Sequence, residues 1–331
     1  MRAAFYHGPE RQIGVERVAD PMPGSDELLV QVAYCGICGS DVSMTSGGPF
    51  DYRPGTCFGH EFAGTIVDFG AEVSGFKRGE RIACMPMGGC GHCESCRAGR
   101  LLLCMNGRPS TGGFAEYSVI APSAALRLPQ TLSLADGALI EPMACGLRAL
   151  KQAGLQPGDD VLVLGAGSMA LSVIWWARRL GAGSITVASR SAHRRALCLQ
   201  LGADDVQGFD DAALNAPPHI VAECVGKPGM LNLGLARLRP GGTLISMGMC
   251  QQPEPVLPAG LTYKEVRIIF PLGYSVQEFE RTAREFDAAH FHPEMLLSDI
   301  LPLDALPAAI AGLREGAAKK LKIHIDPRLE N

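Results

Sequence analysis

A chain of 331 residues has room for about two domains and for substantial hydrophobic cores. Its formal net charge of −4 argues against general nucleic-acid binding. It has no uninterrupted apolar run of about 18 residues, so no membrane span is expected, and Met1–Tyr6 lack the apolar core of a secretory signal. The twelve cysteines are therefore expected to be reduced thiols and metal ligands in the cytoplasm, not disulfides.

Residues 1–33 read as β-rich. Leu28–Val32 is an expected strand that enters a turn, Cys35-Gly36-Ile37-Cys38-Gly39-Ser40-Asp41, leading to a short helix. The polar loop Thr45–Thr56 carries Gly47, Gly48, Pro49, Pro54 and Gly55, and is of a size to border a pocket. Its Phe50, Tyr52 and Arg53 suit an alcohol, a polyol or an acidic group. Gly59-His60-Glu61 precedes the alternating strand Phe62–Val67, and Arg81–Cys84 reads as another strand.

Cys90, Cys93, Cys96 and Cys104 follow the spacing C-x2-C-x2-C-x7-C. Four thiolates this close can wrap one tetrahedral ion and leave no position open for substrate, so a structural zinc is expected. An iron–sulfur cluster uses related spacing and is the chemical rival.

Val161–Leu164 is an apolar run followed by Gly165-Ala166-Gly167 and a helical stretch from Ser168 and Met169 onward. The pattern G-x-G-x-x-A in this context is a dinucleotide fingerprint. Gly165 permits the turn, Gly167 leaves room for a pyrophosphate, and the helix start offers unpaired N–H groups. Asp160–Leu164, Ser184–Ala188, Ile220–Cys224, Thr243–Met247 and Val266–Ile269 are expected strands of a doubly wound parallel sheet. Helices at 168–181, 192–201 and 229–237 alternate with them, and 203–218 is short enough that one element there is expected to be abbreviated. Val276–Phe286 reads as a helix and Lys322–Ile325 as a final strand.

An enzyme of this kind that uses NAD places an acidic residue about 20 positions past the glycines, on the ribose 2′-hydroxyl. No acidic residue lies between Ala182 and Ala203. Ser189 and Arg190 stand at the strand end, with Arg194 and Arg195 following. A hydroxyl and guanidinium groups bind a 2′-phosphate that a carboxylate would repel, so NADP(H) is expected over NAD(H). The plainer alternative makes these arginines a solvated helix face.

The motifs C-G-I-C-G-S-D at 35–41, G-H-E at 59–61, the cysteine quartet, G-G-F-A-E-Y at 112–117, E-P at 141–142 and G-A-G at 165–167 occur together and in order. In this the chain resembles the zinc-dependent medium-chain alcohol and polyol dehydrogenases. The resemblance implies an α/β protein, a Rossmann doubly wound parallel sheet plus a β-rich GroES-like catalytic domain. It divides the chain into a catalytic domain (1–141), a cofactor domain (142–272) and a segment returning to the first (273–331). It implies a second, catalytic zinc on Cys38, His60 and Glu141, with Glu61 ligating directly or through water. Glu141 stands where alcohol dehydrogenases carry Cys, which matches the sorbitol and polyol branch; Cys145, four residues on, is a rival ligand. Zinc then polarises an alcohol oxygen, hydride passes to the nicotinamide, and Ser40 is the first proton acceptor. Ser43 stands where many relatives carry His, so the usual end of the proton relay is absent. Lys320 matches a basic pyrophosphate contact, and a homodimer or homotetramer is expected. Two other readings are a zinc-independent quinone-type reductase and a non-catalytic binding protein of the same fold; a count of two zincs per chain separates the first reading from both.

Overall fold

The computed structural model describes residues 1–10, 12–110, 112–209, 216–315 and 321–330. The chain divides into two compact units, 1–141 together with 275–331, and 142–274.

In the first unit the hub is the strand Leu28–Gly36. Leu28, Val30 and Val32 are fully buried at every second position, as a half-buried strand requires. One edge of this strand pairs antiparallel with Glu61–Phe69 along nearly its whole length. On the other, Tyr117–Ile120 pairs with Leu28–Gln31, and Lys322–Asp326 with Cys35–Gly36. The strand was expected to end at Val32, with a turn from Cys35. It runs on to Gly36 because these partners satisfy its backbone on both sides; only Ile37 and Cys38 separate it from the helix Gly39–Ser43. Arg2–Tyr6 lies between Ile13–Arg17 and Thr56–Cys57 in a smaller sheet.

The helix Leu134–Ala153 is long and was not anticipated. Gly137, Pro142 and Gly146 interrupt its sequence signal. Burial stabilises it nonetheless: Leu139, Met143, Leu147 and Leu150 recur at helical spacing and are almost wholly inaccessible.

The second unit holds a six-stranded sheet in the order Asp205–Gln207, Ser184–Ala188, Asp160–Leu164, Ile220–Glu223, Thr243–Ser246, Arg267–Ile269. Every pairing is parallel. By chain order the strands run 3-2-1-4-5-6, the arrangement of the dinucleotide-binding Rossmann fold. Val161–Leu164 is apolar throughout because a parallel strand is covered on both faces. One core cluster joins Leu162, Leu164, Val221 and Leu244 to Leu235 and Leu238. On the helix Ser168–Arg179, Ser172 Oγ and Trp176 Nε1 both donate to the Met143 carbonyl, at 2.9 and 2.8 Å. The expected helix at 192–201 starts instead as a 3-10 turn, Ala192–Arg194, and becomes α-helical only over Arg195–Gln200. Of the stretch 203–218, where one element was expected to be abbreviated, Asp205–Gln207 is a strand and 210–215 lie outside the described residues.

The returning segment opens with the helix Val276–Asp287, closed by a reciprocal cap between Ser275 and Glu278. Leu297–Pro302, a strand, and Leu306–Arg314, a helix, were not anticipated. The strand pairs parallel with Lys322–Asp326. Among the described residues no helix is long and apolar enough to cross a membrane.

Within Lys322–Asp326, His324 is fully buried against Tyr34, and neither ring nitrogen has a hydrogen-bond partner. Burial, and then the nearby Lys322 ammonium, push its pKa down to about 3. The unfolded chain therefore binds a proton between about pH 6.5 and 3 that the folded chain refuses, so stability falls as pH drops through that window. Between about pH 7 and 5 the wild type should lose about 2 kcal/mol more than His324→Met, read by denaturant titration. Equal losses would mean that His324 is charged at no cost in the fold.

Candidate active site and metal centres

The cysteine lobe brings four thiols close together. Cys93 begins the helix Glu94–Arg97, and its sulfur accepts from the Cys96 N–H at 3.4 Å; the Cys90 N–H donates to Cys104 Sγ, also at 3.4 Å. The four sulfurs lie within 4.8 Å of one another, with Cys90–Cys96 at 3.9 Å and Cys93–Cys104 at 3.8 Å. A tetrahedron with zinc–sulfur bonds of about 2.3 Å has edges of about 3.8 Å, so the spacing fits zinc. Gly89 makes this approach possible, since a Cβ there would stand 2.6 Å from Cys96 Sγ. Backbone N–H groups of His92 and Cys93 hold the Cys90 thiol down, at about 6. Desolvation and the neighbouring thiols push Cys96 up to about 12, a crowding that a cation relieves.

The second cluster is built on the junction between the hub strand and the helix Gly39–Ser43. Cys38 is that helix's N-cap, and its N–H donates to Asp41 Oδ2 at 2.9 Å. Cys38, His60 and Glu61 place a ligand atom each within 4.8 Å of one another. One sulfur, one imidazole nitrogen and one carboxylate are a donor set for zinc that leaves a coordination position open. Asp41 is fully buried, and its Oδ1 accepts from Tyr52 OH at 3.0 Å while facing His60 Nδ1 at 3.5 Å. That contact turns Nε2 away from Asp41, the orientation in which carboxylates hold metal-bound histidines. Burial lowers the pKa of His60, but Asp41 and Cys38 outweigh it and hold it well above the ordinary value. Ser40 Oγ lies 3.5 Å from His60 Nε2.

Glu61 carries a partner that motif reasoning missed. Lys322 Nζ donates to both its oxygens, at 2.8 and 2.5 Å, and to the Ile37 carbonyl at 3.1 Å. Burial lowers the Lys322 pKa, but Glu61, Cys38 and Glu141 outweigh it, so the ammonium is held above its usual value. The signal was a lysine opening the short run Lys322-Ile323-His324-Ile325, in which isoleucine recurs at every second position. Asp41 was part of a quoted motif without a role; its signal was the three-residue spacing from Cys38 that makes a reciprocal cap. Glu141 sits inside the helix Leu134–Ala153, not at its start, and is 6% exposed. It is near enough to act on Lys322 but does not join the Cys38–His60–Glu61 trio.

In the second unit Gly165 has φ +108°, and its N–H donates to the Ala188 carbonyl at 2.8 Å. Gly167 caps the helix Ser168–Arg179, and a Cβ placed on it would meet nothing within 4 Å. That open surface over a helix start is what a pyrophosphate needs, and Ser168 and Met169 form the first turn. Ser189 follows the strand end, its Oγ accepting from the Ser191 N–H at 3.1 Å, and Arg190 is exposed. Arg194 turns back to the glycine loop and donates to the Ala166 carbonyl at 3.1 Å. Arg195 instead pairs with Asp205 at 3.1 Å. Lys320 lies outside the described residues.

Two family models match the chain: an alcohol dehydrogenase GroES-like domain over residues 24–130 and a zinc-binding dehydrogenase over 167–288. Sorbitol dehydrogenase of Bacillus subtilis is 32% identical over 271 residues, 77% of this chain and 76% of that protein. The chain belongs to the zinc-dependent medium-chain alcohol and polyol dehydrogenases. Among solved members, a zinc-binding dehydrogenase of Sinorhizobium meliloti bound to NADP is 29% identical, with a TM-score of 0.89 over 98% of this chain and 99% of that one. Galactitol-1-phosphate dehydrogenase of Escherichia coli is 27% identical, with a TM-score of 0.85 over 99% and 100%. The first unit is thus the GroES-like part of this family fold and the second its Rossmann part.

The Tyr52–Asp41 contact has a measurable consequence. Tyr52→Phe strips a donor from a buried carboxylate and should lower stability by about 1.5–3 kcal/mol in denaturant titration. A loss below about 0.5 kcal/mol would show that Asp41 is held without it.

Proposed function

We propose that this chain is an NADP(H)-preferring zinc enzyme that moves a hydride between an alcohol or polyol and the corresponding aldehyde or ketone. The observation that carries the reading is the convergence of Cys38, His60 and Glu61 beside Ser40. Cys38, His60 and Glu61 would hold the catalytic ion, with Glu141 the further carboxylate of the site, and Cys90, Cys93, Cys96 and Cys104 a structural one. When bound, the zinc supplies Lewis acidity toward the alcohol or carbonyl oxygen, and the nicotinamide accepts or donates the hydride.

The protein's own part is positioning and proton handling. Asp41 orients His60, and Tyr52 and the Cys38 N–H keep Asp41 in place. Ser40 Oγ takes the hydroxyl proton during oxidation and returns it during reduction. With Ser43 where many relatives carry His, the proton would pass from Ser40 to water. Ser168 and Met169 would offer backbone N–H groups to the pyrophosphate. The 2′-phosphate would be received by Ser189 and Arg190, with Arg194 bracing the loop from its seat on Ala166. The Sinorhizobium meliloti relative bound to NADP agrees with that choice. The edge strand Arg267–Ile269 is followed by the exposed Phe270 and Leu272, which suits pairing with a second copy in a homodimer or homotetramer. A metal-binding rather than disulfide role for the thiols suits the cytoplasm.

Metal analysis should find two zincs per chain. His60→Ala should lose one of them and about a thousandfold in turnover, with NADP(H) affinity nearly unchanged by calorimetry, since Lewis acidity supplies several kcal/mol. Turnover near the wild-type rate would favour a zinc-independent reductase instead.

Cofactor choice is tested separately. NADP should exceed NAD in kcat/KM, and each charge-assisted hydrogen bond to the phosphate is worth about tenfold to a hundredfold. Ser189→Asp combined with Arg190→Ile should reverse the preference, chiefly by repulsion. A wild type that favours NAD, or a double variant with unchanged preference, would mean that these side chains only face solvent.

A further inference from the structure

The cysteine lobe and the returning segment meet at one glycine. The helix Glu94–Arg97 carries Cys96 and ends at Ala98. Gly99 follows with φ +71°, a left-handed residue of the kind that stops helices. Its N–H donates to the Cys96 carbonyl at 2.9 Å, which ties Gly99 to a quartet cysteine three residues earlier. Its carbonyl leaves the lobe and accepts from the Val276 N–H at 2.8 Å. Val276 is the first residue of the helix Val276–Asp287, where N–H groups have no acceptor within the helix itself. The Glu278 N–H turns to Ser275 Oγ, and the Val276 N–H turns to the cysteine lobe. Gln277 lies across the same buried glycine, and a Cβ on Gly99 would collide with its side-chain amide. The chain re-enters the first unit at Ser275, so this contact stands at the start of the whole returning segment.

We propose that the cysteine quartet is a metal-dependent latch on the returning segment: the ion that fixes Cys96 also fixes the first turn of the helix Val276–Asp287 through Gly99. This rests on the reading of the quartet as a zinc site. Between Cys90 and Cys104 the buried residues are Gly99, Leu101 and Cys104, too few to form a core that holds the lobe. A four-residue helix is not stable by itself either, so the shape of the lobe depends on the ion. Without the ion Gly99 loses its fixed place, and the Val276 N–H loses its acceptor. The body of the helix stays packed through Phe279, Thr282, Ala283 and Phe286, all buried, so its first turn is the part that responds. Coupling of this kind is reciprocal: what frees the helix start also loosens the ion.

The reciprocal direction gives the cleaner test, on the full-length protein. Val276→Pro removes the donated N–H and no bond within the helix, since proline is favoured at a first helical position. Ser275 already has the extended backbone that a residue before proline needs, with ψ 161°. Val276→Ala shortens the side chain but keeps the N–H, and serves as control. Zinc release to a chelator is followed with the Cys38-site ion as internal reference. The quartet ion should leave Val276→Pro about fivefold faster than Val276→Ala, the worth of one neutral hydrogen bond, while the other ion leaves both at one rate. Equal release of the quartet ion, or a parallel rise for both ions, would overturn the proposal, the second by showing general loosening. In the forward direction, Cys96→Ser should speed amide hydrogen exchange over Val276–Glu278 at least about fivefold and leave Phe279–Asp287 protected. Wild-type exchange at all of these amides would also overturn it. Should Cys96→Ser not fold, the Val276 pair decides alone. A wild type whose zinc count does not fall in Cys96→Ser would remove the quartet reading itself. That failure is distinct from a quartet ion whose release ignores Val276.

Discussion

The pairing of Lys322–Asp326 with the end of the strand Leu28–Gly36 is the constraint on which the first unit depends. It joins segments almost three hundred residues apart. Gly36 lies opposite Glu61 on one side and His324 on the other, so three strands bring their side chains to one row of the sheet. The same pairing places Lys322 over Glu61 and Ile37. Closing so long a loop costs entropy that grows only slowly with length, and the returning segment repays it through burial of Ile323, Ile325, Leu303 and Leu306.

That row concentrates charge in a place where charge is expensive. A buried ion pair gives little net stability over a well-packed apolar pair, but removing one partner costs about 3–5 kcal/mol. Glu61 and Lys322 thus neutralise each other once the sheet has closed. His324 shows the opposite solution: with no partner for either nitrogen it stays neutral, and Lys322 beside it makes protonation harder still. One strand therefore carries a charged and an uncharged basic side chain two positions apart, distinguished by whether an anion faces them.

The two units use different devices to present ligands. The first supplies side chains from strand ends and turns, with Asp41 binding backbone, phenol and imidazole groups at once. The second supplies backbone: a left-handed Gly165, an uncovered Gly167 and the start of a twelve-residue helix. Glu223 performs a similar service at a neighbouring strand end, accepting from the N–H groups of Val225 and Gly226 at 2.6 and 2.8 Å and fixing the loop that follows.

Local patterns in the sequence determined much of this protein. The run Val161–Leu164, the glycines after it and the strands Asp160–Leu164, Ser184–Ala188 and Arg81–Cys84 were legible because a buried strand bounded on one side by a glycine turn is specified by neighbours in the chain. The clustering of the cysteine quartet was legible for the same reason, since its four thiols lie within fifteen residues. The helix Leu134–Ala153 was not, because Gly137, Pro142 and Gly146 argue locally against it and only burial of its apolar face decides otherwise. The end of the strand at Gly36 was also hidden, because its partners come from residues 61 and 324. The choice between Glu61 and Glu141 for the trio, and the presence of Lys322 beside Glu61, lay beyond any local pattern. A residue type and a spacing identify which side chains can bind a metal; which of them meet, and what else claims them, depends on strand register, and only the folded sheet sets that.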